Sequence, residues 1–199
     1  MRMFTEDEYY DETFTDLVFA KEELSFVRFY DCTFRNCDFG DTVFRGCKFS
    51  GCAFESCNLN FVKLTDSECH DAKFVKSKVV GVNWTEADWP RTAGRELLSF
   101  DQCTVSHSTF IGLKLPKCTM TDCMAKNVDF RDADLTEMNF GGTDLSESLF
   151  GDTILTGADF RRAAGYAINP MLNRIQKAKF MLPEATSLLY NMDIQIVDD

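Results

Sequence analysis

Large apolar residues recur on every fifth position of this chain. Between Phe29 and Leu59 they are Phe29, Phe34, Phe39, Phe44, Phe49, Phe54 and Leu59. An amphipathic helix repeats its apolar face about every 3.6 residues and a half-buried strand about every 2. A period of five fits neither. It predicts one short extended piece and one turn, repeated. With i as the central apolar position, the phase runs unbroken from Phe14 to Trp89. It resumes one residue out of step at Phe100 and continues to Phe160. These 29 central positions hold 15 of the 19 Phe, whereas random placement gives about a fifth.

The flanking columns sharpen the prediction. Position i−2 is small and holds eight of the nine Cys, with Cys69 at i instead. Positions i and i−2 therefore point inward. Asp or Asn recurs at i−1, and nine of the eleven Gly lie at i+1 or i+2, where a turn needs a permissive backbone. Four such units close a square circuit, and circuits stack as parallel strands ~4.8 Å apart. The fold class expected is an all-β solenoid, a quadrilateral β-helix of about seven coils with a short α-helical C-terminal cap. Phe14, Phe34, Phe54 and Phe74 form one aromatic ladder in it. Cys32 then lies over Cys52, Cys37 over Cys57 and Cys103 over Cys123. Parallel Cβ atoms ~4.8 Å apart exceed the ~3.8 Å of a disulfide, so these are reduced core thiols and no metal site.

The expected divisions are an N-terminal cap over 1–13, the repeat over 14–160 with a register break at 90–99, and a C-terminal module over 161–199. The break spans one residue more than two units take. It is either a one-residue bulge or a loop leaving a corner. Trp89, Pro90, Arg91 and Arg95 are its candidate contact residues, with Trp89-Pro90 a candidate cis bond. In the tail, Asn169-Pro170 reads as a helix start with Leu172, Ile175 and Ala178 on its inner stripe. Pro183-Glu184 opens a second short helix with Leu188 and Leu189, and residues 193–197 alternate like a strand.

Charge narrows the partners. The formal net charge is −11, which argues against binding nucleic acid and for a basic partner. Residues 1–25 and 100–160 each carry −6, while 26–89 carry −1 and both 90–99 and 161–199 carry +1. Over ~16 Å a DNA duplex carries ~9 charges, so the acidity of 100–160 is of the same order. Its candidate partner-binding carboxylates are Asp122, Asp129, Asp132, Asp134, Glu137, Asp144, Glu147, Asp152 and Asp159. Asp at i−1 has a second reading, as a residue that simply solvates the surface. No catalytic or phosphate-binding motif is present, and His70 and His107 fall at outward positions. The chain reads as no enzyme, with no cofactor. The acidic N-terminus lacks a signal peptide and there is no spanning run, which predicts a cytoplasmic protein with no membrane contact.

The period, with units such as ADLTE (133–137) and ADFRR (158–162), resembles the pentapeptide-repeat family. The resemblance covers about residues 14–160 and implies a right-handed quadrilateral β-helix. The tail GYAINPMLNRIQKAKFMLPEATSLLYNMDIQIV and the segment GVNW-x4-WP (81–90) are similar to the gyrase-protecting Qnr/McbG/AlbG type within it. That similarity implies a homodimer through the C-terminal module, with Leu172, Ile175, Leu188, Leu189, Met192, Ile194 and Ile196 as interface candidates. It also implies a DNA mimic that binds DNA gyrase or topoisomerase IV and relieves a poison. A non-catalytic interaction scaffold with another partner is the alternative.

Overall fold

A computed structural model describes residues 4–90, 97–192, 194 and 197. The five-residue unit folds as the pattern requires. Strands of three or four residues, such as Arg28–Tyr30 and Thr33–Arg35, carry the central residue inward and alternate with tight turns. Every strand pairing is parallel, and up to the register break each partner lies four units further along the chain: Phe14 pairs with Phe34, Phe34 with Phe54, Phe54 with Phe74. The chain is a β-solenoid whose core is the inside of the coil.

Position i+2 makes the corner. Between Asp11 and Lys177 most of the described residues there adopt positive φ, among them Asp31, Asn36, Asp132 and Asp152 at φ 53, 52, 60 and 55; Glu86, in the 3-10 turn Trp84–Glu86, does not. This left-handed region tolerates Gly, Asn and Asp better than other residues, which explains the polar and Gly-rich corners. Position i−1 has its own task. Its side-chain oxygen accepts the N–H of i+1, as Asp38 does from Gly40 at 2.9 Å and Asn139 from Gly141 at 2.9 Å. The recurrent Asp and Asn are therefore turn-builders.

The interior is layered. Phe14, Phe34, Phe54, Phe74 and Phe100 stack with ring centroids 4.9–5.1 Å apart and near-parallel planes. Neighbouring columns meet edge-on, as Phe29 does Phe34 at 5.2 Å and 75°. Beside the rings runs a hydrogen-bond ladder from the i−2 column. Cys37 N–H donates to Cys57 Sγ (3.4 Å), Cys57 N–H to Ser77 Oγ (2.9 Å), Ser77 N–H to Cys103 Sγ (3.4 Å), and Cys103 N–H to Cys123 Sγ (3.3 Å). The same side chains donate back to carbonyls, Ser77 Oγ to Phe54 O at 3.0 Å. A small side chain with one donor and one acceptor thus satisfies buried backbone groups. All nine cysteines are buried thiols outside any disulfide, and burial pushes Cys52 and Cys69 up to about 12.

Phe4 plugs the first coil, edge-on to Tyr9, Phe14, Phe19 and Phe29. At the other end the structure departs from expectation. The stack continues one level beyond Phe160: Ile154 bridges Arg174, Asp159 bridges Lys179, and Phe180 stacks on Phe160 at 5.1 Å. No helix starts at Asn169-Pro170. Gly165, at φ 71, lets the chain leave the square path, and Tyr166 and Ile168 turn into the core. Helix at this end is confined, among the described residues, to a 3-10 turn, Glu184–Thr186, running into Ser187–Tyr190. Glu184 fastens this piece by accepting Gly165 N–H at 2.7 Å. The expected 193–197 strand falls largely outside the described residues. No helix among the described residues is long and apolar enough to cross a membrane.

Candidate functional site

The register break inserts more than the single residue of a bulge. The sequence separation of stacked partners rises from 20 to 26 across it: Phe54 pairs with Phe74, but Phe74 pairs with Phe100 and Lys78 bridges Thr104. Six residues are therefore inserted at one corner. Trp89 marks the departure and donates its Nε1–H to Trp84 O at 2.9 Å. The cis peptide among the described residues is Leu182–Pro183, so Trp89-Pro90 is not cis. Arg91 and Arg95 lie outside the described residues.

The nine candidate carboxylates do not share a face. Residues one coil apart lie on one side of the rod, and residues of successive units lie on successive sides. Asp129, Asp132 and Asp152 belong to one side, Asp134 and Glu137 to the next, Asp122 and Asp159 to the third, Asp144 and Glu147 to the fourth. Asp132 and Asp152 do stack, with Asp132 N–H donating to Gly151 O at 2.9 Å. The arrangement is a collar of charge around the rod.

Within that collar the nine divide by their bonds. Asp129 binds Arg131 at 2.6 Å, Asp159 binds Arg161 at 2.6 Å and Lys179 at 3.8 Å, and Asp144 binds Lys126 at 3.0 Å. The guanidiniums of Arg131 and Arg161 hold Asp129 and Asp159 below the usual carboxylate range. For Asp144 the Ser146 hydroxyl contributes most, with Lys126 adding to it. Asp134 accepts the Thr136 N–H at 3.1 Å. The remaining five, Asp122, Asp132, Glu137, Glu147 and Asp152, occupy positive-φ corners and make no ion pair among the described residues. Their backbone is fixed by the turn, so their charges stand at set intervals.

At the C-terminal end, Leu172, Leu189, Met192 and Ile194 are exposed, alongside Met171, Met181, Leu182 and Tyr190. Ile175 and Leu188 instead pack half-buried on the core, and Ile196 lies outside the described residues. Reading the sequence by period missed one feature here. Residues 160–183 contain five cations, Arg161, Arg162, Arg174, Lys177 and Lys179, and no carboxylate. Asp159 holds Arg161 and Lys179, which leaves Arg162, Arg174 and Lys177 without an ion pair among the described residues as a basic rim beside the apolar end. The signal was present in the sequence, but the acidic residues after 183 mask it in the segment charge of +1.

His70 lies 3.1 Å from Glu68 on the surface and His107 sits at an exposed corner. Among the described residues no cluster of His, Cys, Asp or Glu could hold a metal ion.

A stack of five-residue turns with a stacked Phe interior defines the class of protein. The chain belongs to the pentapeptide-repeat family: residues 27–96 match the "Pentapeptide repeat region" model, and residues 106–142 and 133–164 match "Pentapeptide repeats (8 copies)". Solved structures of QnrB1, a plasmid-mediated fluoroquinolone resistance protein, share the fold. A trypsin-treated form is 18% identical with a TM-score of 0.65, covering 93% of this chain and 100% of that one. The full-length form is 16% identical with a TM-score of 0.52, covering 94% and 100%. No curated protein sequence matches the chain.

Proposed function

We propose that this protein is a DNA mimic that binds DNA gyrase or topoisomerase IV in the cytoplasm and protects the enzyme from a poison. The observation that carries the reading is the collar of five carboxylates, without ion pairs among the described residues, at fixed corners of a rigid rod. A duplex likewise presents charge around its circumference, so the spread over four sides suits a groove that encloses the rod. Three steps of ~4.8 Å separate Phe100 from Phe160, a length over which a duplex carries ~8 charges. The −6 of residues 100–160 is comparable. The likeness of fold to a fluoroquinolone resistance protein supports the same reading.

The exposed apolar C-terminal end supports a two-fold homodimer through Leu172, Leu189, Met192 and Ile194, with Ile175 and Leu188 fixing the cap beneath. The basic rim then lies near the dimer centre, with the acidic collars outboard of it. A second reading, a non-catalytic scaffold for another partner, is favoured by one observation. Asp129, Asp144 and Asp159 are neutralised within the chain, which weakens the resemblance to a polyanion.

Competition binding separates the two readings. A labelled duplex bound to gyrase is titrated with this chain, and displacement at micromolar protein is expected. Displacement should weaken when Asp132 and Asp152 are both changed to Asn. Failure to displace the duplex from either enzyme favours the scaffold.

A further inference from the structure

The first coils carry a second surface, independent of the DNA-mimic reading. A cleft of about 550 Å³ opens between residues 4–7 and 18–27. Phe19, Leu24 and Val27 give it an apolar floor, and Glu6, Asp7, Glu22 and Glu23 supply carboxylates at its rim. No lysine or arginine lines it among the described residues. Glu23 is engaged by Arg45 at 3.2 Å, while Glu6, Asp7 and Glu22 make no ion pair among the described residues.

Among the described residues, the strand beside this cleft, Glu23–Ser25, pairs on one side only, with Val43–Arg45. Val18 likewise bridges, among them, only to Asp38 and is 71% exposed. Along the rod the N–H of each i−1 residue donates to the carbonyl of the i−2 residue one coil earlier, as Val43 does to Glu22 O at 2.9 Å. Glu23 is the same position one level earlier, so by that geometry its N–H points toward the cleft side.

We infer that this cleft takes an extended cationic segment of a partner protein as an added strand. Main-chain bonds satisfy the open edge, and alternate side chains give specificity. The rod shows which pairing is favourable. Where outward positions one coil apart carry opposite charges they form ion pairs, Glu8 with Arg28 at 2.9 Å, Arg35 with Glu55 at 2.6 Å and Lys48 with Glu68 at 3.0 Å, whereas Arg28 beside Lys48 and Glu68 beside Asp88 carry like charges. The added strand therefore carries Lys or Arg opposite Glu23 and an apolar residue opposite Leu24. Cations alternating with aliphatic residues fit both the floor and the rim.

The test is fluorescence anisotropy of a labelled seven-residue peptide alternating Lys and Val, titrated with the full chain. Binding is expected, with affinity falling at least ~10-fold when Glu6→Lys and Glu22→Lys are combined. It is expected to hold in Asp132→Lys combined with Asp152→Lys, and to vanish for a peptide alternating Glu and Val. Amide exchange on the complex should show new protection at residues 23–25. Equal loss in the Asp132→Lys, Asp152→Lys chain means attraction to net charge alone and overturns the proposal. So does an absence of binding, or binding without that protection. Sedimentation of the chain alone tests a second copy as occupant: self-association abolished by the Glu6→Lys, Glu22→Lys pair overturns the choice of a basic partner.

Discussion

Replacing Phe54 by Ala tests the layered core at its middle. Phe54 is 2% exposed and lies between Phe34 and Phe74, with ring centroids at 4.9 and 5.0 Å. It also meets Phe49 edge-on at 5.7 Å. Truncating a buried Phe costs about 3–5 kcal/mol, more where neighbours cannot close the cavity. Here they cannot. The level spacing is set by main-chain bonds on both sides, Ala53 N–H to Cys32 O at 2.9 Å and Lys73 N–H to Cys52 O at 2.8 Å. The two stacked pairs add about 0.5–1.5 kcal/mol each beyond area burial. The expected loss is about 4 kcal/mol, a large share of the roughly 5–15 kcal/mol that holds a domain together. Urea melts measure it, read from the midpoint with the slope unchanged. Phe54→Leu should lose less than Phe54→Ala, about 1–3 kcal/mol, because Leu keeps much of the buried volume, as at Leu59 and Leu115, but forfeits both stacked contacts. A loss below about 1 kcal/mol for Phe54→Ala would refute the ladder as a main source of stability.

Other consequences follow from the same architecture. Gly165→Ala should destabilise by about 3 kcal/mol or more, since its Cβ meets the Ser146 backbone at 2.9 Å at positive φ. Gly112→Ala meets nothing within 4 Å and should cost only about 1 kcal/mol. Equal thermal shifts in these two variants would contradict the corner geometry. Ser77→Ala removes the partner of Cys57 N–H and should cost about 1–3 kcal/mol in denaturant melts, whereas Ser77→Cys should be milder because Cys fills the same role at Cys57 and Cys103. Cys52 and Cys69 ionise at about 8.5 when unfolded but only at about 12 when folded. Their contribution is complete below about 8.5 and is lost as pH rises toward 12, so melting temperature should fall through that window. Asp129 and Asp159 act oppositely: their contribution is present above the ordinary carboxylate range and is lost as pH falls below it. A melting temperature flat from about pH 8 to about 11 would contradict the thiol burial.

The coil, its aromatic columns and its thiols were legible because period five is a property of sequence alone. The register break was not, for an arithmetical reason. One inserted residue and six inserted residues leave the same phase modulo five, and only the change of pairing from 20 to 26 tells them apart. The last level was hidden by Gly165 and Pro170, which replace two central residues, although Ile175 and Phe180 keep the phase beyond them. Asn169-Pro170 then imitates a helix start. The acidic residues were legible as a column but not as a surface, because a five-residue step moves each one to the next side of the coil. Which of them are spent on Arg131, Arg161 and Lys126 depends on side-chain reach that spacing does not encode.

The most direct test of the DNA-mimic reading is gyrase supercoiling across a fluoroquinolone titration, with and without this chain. The account predicts that the chain restores supercoiling to the poisoned enzyme and lowers the yield of drug-stabilised cleaved DNA, with the Asp132→Asn, Asp152→Asn chain less effective. Poisoning curves that superimpose with and without micromolar protein, for gyrase and for topoisomerase IV, would contradict it.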